Sequence, residues 1–359
     1  MISWVKKLVT VGALACMLMT VAGCGGNSEQ SAQKDDKGDK ELNLFIWSEY
    51  IPDSVIKKFE DESGIKVNVS NYSTNEECLA KVESSAEGTY DIVVPDDFMI
   101  KIMKNKGLLQ KFDKDKITNL KNIYPNYMSQ YYDPDNEYSV PYLAGTVLIA
   151  VNTDKVKKNI TSFNDLLDPE FKDSIVAVDE ERIIIGYALK ALGYSMNDTD
   201  EAHLAQAKAW LQKLMPNIKV FDSDSPKTEM ISGETSIGLI YNAEAALAMK
   251  ENPAIKIVYP KEGMQRFIDS FCITAGSKHK EAAEQFINFI LRPEIAAEIT
   301  QSYPYTSVNE AAKDLLSDEY KNNPASSIPP DVLNTQGEFM KDVGDATPKF
   351  DEIWSEVKK

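Results

Sequence analysis

Histidine is nearly missing from this chain: His203 and His279 are the only two in 359 residues, and both sit among polar neighbours. A Ser-His-Asp relay or a histidine metal centre needs imidazoles held beside their partners, so neither is readily built here. There is also no glycine-rich phosphate loop, no Cys-x-x-Cys pair and no G-x-S-x-G elbow. These gaps argue against a cofactor or a bound metal. A secreted hydrolase working through two carboxylates stays open, because Asp and Glu abound, but no spacing selects a pair. Basic residues are outnumbered, 39 Lys and Arg against 56 Asp and Glu, for a formal net charge of −17. Such a chain repels nucleic acid and anionic headgroups and attracts cations, although much of the charge is an ordinary solvated surface. Of the four cysteines, only Cys78 and Cys272 fall in the body. They are far apart in sequence, in a helical and a strand pattern, and are expected to be two separately buried thiols.

Long apolar runs are equally scarce, with one exception at the start. Lys6 and Lys7 precede an uncharged stretch from Leu8 to Val21, which closes on Val21-Ala22-Gly23-Cys24. A basic head, a short greasy core and small residues before a cut describe an export signal. The core falls short of the roughly 20 apolar residues that a membrane span needs. The cysteine at the cut points to a bacterial lipoprotein whose mature chain begins at lipidated Cys24, anchored to the outer face of the cytoplasmic membrane. Residues 25–40 carry almost nothing apolar and read as a disordered tether.

From Glu41 onward, short strands alternate with helices. Leu42 to Trp47 is strand-like, Pro52-Asp53-Ser54 opens a helix that Gly64 stops, and Ile65 to Val69 alternates as a strand. A helix over 75–85, a strand over 90–94 and a helix over 97–106 follow. This rhythm predicts an α/β fold with a mostly parallel sheet. The extended stretch Tyr138 to Asn152 breaks it and suits a crossing between lobes. A second α/β set occupies 175–259, and the strand Phe267 to Ala275 is the expected return. The division expected is residues 41–147 plus 270–297 in lobe 1, and residues 148–269 plus 298–359 in lobe 2. An exported two-lobed protein without catalytic motifs is best explained as a binding protein, with its ligand between the lobes at strand C-termini.

The stretch Phe45-Ile46-Trp47-Ser48-Glu49-Tyr50-Ile51-Pro52 resembles the spermidine/putrescine-binding proteins of ABC importers, in which a Trp-[Ser/Thr]-Glu-Tyr turn ends the first strand. The likeness continues in order through Ser63-Gly64-Ile65-Lys66-Val67, Glu87 to Pro95, Tyr138 to Tyr142 and Lys213 to Ile218. It extends through Tyr259 to Gly263, Asp269-Ser270, Asn288 to Pro293 and Gly337-Glu338-Phe339. The resemblance implies a periplasmic-binding-protein-like fold whose two lobes hinge around a linear polyamine. It also implies a membrane permease with an ATPase as partner, and a chain that works as a monomer.

The cleft positions implied are Trp47, Ser48, Glu49, Tyr50, Asp96, Phe98, Glu180, Tyr241, Phe267, Asp269, Tyr303 and Met340. Asp96 stands where the family usually has serine, and Ile183 where some spermidine binders have glutamate. Tyr241 and Phe267 stand in for tryptophans, and Met340 for a glutamine. Residue chemistry agrees with a polycation site, since carboxylates pair with ammonium groups and aromatic faces cover the methylene spacer. On that chemistry alone, Trp47 and Phe267 also suit core packing, while Glu49, Glu180 and Asp96 also suit helix caps. Asp269, in an otherwise apolar strand, needs a partner if buried. A binder of another cationic or small polar solute is the alternative.

Overall fold

The computed structural model describes residues 40–359, so the export signal, Cys24 and all but the last residue of the tether lie outside the described residues. Two sheets organise the body. The chain begins with β1 (Glu41–Trp47), α1 (Asp53–Ser63), β2 (Lys66–Tyr72), α2 (Asn75–Ser84), β3 (Ile92–Val93) and α3 (Asp97–Asn105). In α1 the apolar Val55, Ile56 and Phe59 share the buried face, and Gly64 ends the helix at φ +72, a left-handed turn that favours glycine. Thr74 accepts the Glu77 N–H at 3.1 Å, and Glu77 accepts the Ser73 N–H at 2.9 Å, so side chains satisfy the open start of α2.

After β4 (Leu109–Gln110), the strands β5 (Val140–Gly145) and β6 (Val147–Asn152) follow almost without a break. Every residue of both is buried, as expected for strands covered on both faces. β5 belongs to the larger sheet and β6 to the smaller one, so the chain passes between sheets at Thr146. The smaller sheet is completed by β7 (Ile175–Ala177), β8 (Ile218–Phe221), β9 (Ile237–Tyr241) and β10 (Ile255–Val258), in the order β10-β6-β9-β7-β8. Around it stand α4 (Glu181–Ala191), α5 (Glu201–Leu214), α6 (Lys227–Ser232) and α7 (Asn242–Glu251).

The long strand β11 (Met264–Thr274) returns to the larger sheet and runs antiparallel to β5 and β3. Helices α8 (Lys280–Ile290) and α9 (Pro293–Ser302), strand β12 (Thr306–Ser307), helices α10 (Asp318–Asn322) and α11 (Pro330–Gln336), strand β13 (Gly337–Phe339) and helix α12 (Thr347–Val357) finish the chain. The larger sheet runs β12-β5-β11-β3-β1-β2, with β4 and β13 also paired to β11. The fold is thus α/β and two-lobed.

The sheets divide the chain less simply than boundaries drawn from sequence. Residues 267–269 of β11 pair with β5 of the larger sheet, and so does β12, which lies after residue 298. Helix α12 instead packs on α4 and α5 of the smaller lobe. The C-terminal segment therefore serves both lobes. Cys78 and Cys272 are both buried and unpaired.

Candidate functional site

The C-terminal ends of the parallel strands in both sheets point into one cleft. From the larger sheet come Trp47 at the end of β1, Tyr72 at the end of β2 and Asp96 just beyond β3. From the smaller sheet come Ser223 and Asp224 beyond β8, and Tyr241 at the end of β9. The walls are completed by Ser48, Glu49, Tyr50, Ser73, Glu244, Phe267, Asp269 and Tyr305.

Hydrogen bonds from the rear set the aromatic walls. Trp47 Nε1 and Tyr72 OH both donate to the Val94 carbonyl, at 2.8 and 2.6 Å, so the two rings lie against each other with centroids 4.6 Å apart. Tyr305 meets Tyr50 edge-on at 5.0 Å and Phe267 at 6.0 Å, and Tyr241 meets Phe267 at 6.1 Å. Phe267 can lie here because residue 145 is glycine: a Cβ there would run into the Phe267 ring and the Asn242 amide oxygen. Buried Asn242 ties the crossing down, accepting the Thr146 N–H at 3.1 Å and donating to the Ala325 carbonyl at 2.9 Å.

Asp269 is the deepest acid of the cleft. It stands in β11 where the register with β5 shifts between Asp269 and Ser270, and such a bulge re-aims a side chain. Its Oδ2 accepts from Tyr50 OH, while no N–H or hydroxyl donor reaches its buried Oδ1. Burial pushes the Asp269 carboxyl well above the usual carboxylate range, and the charge and hydrogen bonding of neighbouring Asp96 push it the same way. Asp96 is also raised by burial, while hydrogen bonds with Asp269 and Asn75 pull it down. Two carboxyls in one dry pocket cannot both ionise cheaply, so the pair retains a proton when no cation is between them. Asp96 occupies the N-cap position of α3, yet its side chain makes no cap hydrogen bond. The helix-cap reading therefore does not account for it.

At the mouth, Glu49 has a left-handed backbone, φ +48, an uncommon conformation for a non-glycine residue. Glu244 is buried, and desolvation lifts its carboxyl to about 7 against the opposing pull of Lys227.

Of the residues inferred from sequence, the structure brings Trp47, Ser48, Glu49, Tyr50, Asp96, Tyr241, Phe267 and Asp269 together in the lining. Four others lie outside it. Phe98 packs into the core from α3. Met340 is buried there too, with its carbonyl accepting from Tyr131 OH at 2.8 Å. Tyr303 is half-buried beside the larger sheet's core, near enough for Glu49 to raise its hydroxyl after burial has done so. Glu180 is the buried N-cap residue of α4, with no cap bond and Oε1 unpartnered. Burial raises it strongly, followed by the charges of Glu76 and Asp96. Sequence reasoning missed Tyr72, Ser73, Ser223, Asp224, Glu244 and Tyr305. For Tyr72 and Ser223-Asp224 a signal existed, since each sits at or just past the end of a strand. Among the described residues no group of His, Cys, Asp and Glu is arranged to hold a metal ion, and no helix is long and apolar enough to cross a membrane.

A cleft walled by aromatic rings and floored by carboxylates suits an elongated organic cation. Comparison with known proteins agrees in class. Residues 54–329 match the family of bacterial extracellular solute-binding proteins. The spermidine/putrescine-binding periplasmic protein of Salmonella typhimurium is 38% identical over 357 residues, covering 99% of this chain and 98% of that protein. The putrescine-binding periplasmic protein PotF of Escherichia coli is 30% identical over 379 residues, covering 99% and 97%. Among solved structures, the TpPotD lipoprotein of Treponema pallidum superposes with a TM-score of 0.80 at 31% identity, covering 88% of this chain and 99% of that one. The spermidine/putrescine ABC transporter substrate-binding protein PotD of Streptococcus pneumoniae gives 0.76 at 32% identity, covering 89% and 99%. The chain belongs to the bacterial extracellular solute-binding proteins and, within them, to the family of spermidine/putrescine-binding proteins of ABC importers.

Proposed function

We propose that this protein captures a linear polyamine outside the cell and delivers it to an ABC importer. The observation that carries the reading is the buried acid pair Asp269 and Asp96 under aromatic walls, with no N–H or hydroxyl donor reaching Asp269 Oδ1. Burying an ionised carboxylate pair is costly, and an ammonium group placed between the two acids offsets that cost in place of the proton they share. Asp224 supplies a further carboxylate toward the mouth, where Glu49 and Glu244 hold Lys227, and Trp47, Tyr241 and Phe267 cover the methylenes. Names of close relatives support the class of ligand. Capture is by closing of the two lobes, with the thin connection at Thr146 among the hinge segments.

The test is a melting-temperature panel. Putrescine, spermidine or spermine should raise the transition, by mass action adding about 2.7 kcal/mol at one hundred times the dissociation constant. Amino acids and sugars should leave it unmoved. A flat response to all three amines with a clear shift from a sugar or amino acid overturns the reading.

The reading includes a lipid anchor at Cys24, a residue outside those described. It also takes the binding unit to be a monomer that meets a permease in the membrane. Cys24→Ser should move the protein from the membrane fraction to the soluble one without changing amine binding. Persistence in the membrane would argue against the anchor.

A further inference from the structure

The mouth of the cleft already holds an ammonium group of the protein's own. Lys227 opens α6, and its Nζ lies 3.2 and 3.0 Å from the two carboxylate oxygens of Glu244 and 3.0 Å from Ser225 Oγ. The same Nζ reaches Glu49 Oε2 at 2.5 Å. Glu244 belongs to α7 beside the smaller sheet, whereas Glu49 lies on the turn after β1 of the larger one. The lysine therefore spans the cleft, alongside a second crossing in which Ser73 Oγ donates to Asp224 Oδ1 at 2.9 Å.

This is no ordinary surface ion pair. The side chains of Lys227 and Glu244 are 16% and 6% exposed, against 72% and 64% for Lys57 and Asp61 on the outside of α1. Water screens the outer pair and is largely kept from the inner one. Oxygens of three residues surround the lysine Nζ, enough for the three donors that an ammonium has to place. The arrangement is an ammonium subsite, and the chain fills it itself.

We infer that Lys227 is a specificity-determining residue: its ammonium fills the outermost subsite, made by Glu49, Glu244 and Ser225, so the cleft takes a diamine in preference to longer amines. The inference rests on the amine-binding reading above. A ligand with a third ammonium must either displace Lys227, stripping it of its carboxylates, or lie beside it and be repelled. A diamine reaching only the inner acids meets neither penalty.

Calorimetric titration of the parent, Lys227→Met and Lys227→Arg with putrescine and spermidine tests this. Methionine keeps the stem and removes the charge, leaving two acids for the third ammonium. The spermidine-to-putrescine affinity ratio should rise by about tenfold or more, the scale of a close charge pair, while arginine should keep the parent ratio. Lys227→Gln serves equally should the methionine variant not fold. An unchanged ratio in a folded, neutral variant overturns the assignment, and so does a parent that already prefers spermidine. A parent that binds neither amine overturns the amine-binding reading itself, and the parent titration alone identifies that outcome.

Discussion

At the scale of single residues, the balance between burial and charge decides what this cleft does. Asp269 is 3% exposed, and no N–H or hydroxyl donor reaches one of its carboxylate oxygens. Asp269→Asn retains shape and the possibility of bonding Tyr50 while removing the charge. Losing one partner of a buried charge pair costs about 2–5 kcal/mol, which at about 1.4 kcal/mol per tenfold weakens polyamine binding by about thirtyfold or more. Asp61→Asn, in an exposed pair on α1, should shift it by less than about fivefold, the scale of a surface pair. Calorimetry on both variants reads the contrast, and wild-type affinity in Asp269→Asn would make this acid purely structural. Its chemistry was legible in the sequence as an acid in an apolar strand. Glu244 was not, because an acid within an alanine-rich helical stretch looks like a solvated face until the fold turns it inward.

At the scale of elements, periodicity and breakers placed most of the secondary structure. The pattern behind α1 and its stop at Gly64 is one instance, and the exact span of α5 over 201–214 is another. The short pieces were harder: the strand expected over 90–94 shrinks to β3 at Ile92–Val93, and β12 and β13 were hidden in a tail that reads as helical. Strands of two or three residues have too few positions to show alternation, and only their sheet partners define them. The same limit hides why Gly145 matters, since the reason lies in Phe267 and Asn242, more than 90 residues away. Gly145→Ala should force the Phe267 ring or the Asn242 amide aside, an overpacking cost of about 1–3 kcal/mol. Urea unfolding should show a lower midpoint, and an unchanged midpoint with unchanged binding would mean the crossing is looser than the structure indicates.

At the scale of the whole molecule, export, acidity and two lobes serve one task. The carboxyls of the cleft make the empty protein and the loaded protein respond differently to pH. Asp269 and Asp96 are raised in the folded, empty state, chiefly by burial. The folded state then binds more protons than the unfolded one, so stability of the empty protein falls as pH rises past the ordinary Asp value of about 3.9. A bound ammonium stabilises the ionised acids and pulls those values back down, so binding releases protons and affinity rises with pH until the pair is fully ionised. Across the mouth, Lys227 beside Glu244 of the smaller lobe reaches Glu49 of the larger one. The two-lobed architecture was legible from the interrupted strand–helix rhythm. Which residues after 298 serve which lobe was not, because that depends on pairings across the molecule.

The most direct measurement is titration calorimetry of the protein with putrescine and spermidine, repeated at several pH values from about 4 upward in buffers of different ionisation enthalpy. The account predicts saturable binding at one amine per chain, with heats that change with the buffer because the Asp96–Asp269 pair gives up a proton as the ammonium enters. Absence of binding to either amine would contradict the account at its root. Tight binding with heats independent of buffer would contradict the placement of the ammonium between these two acids.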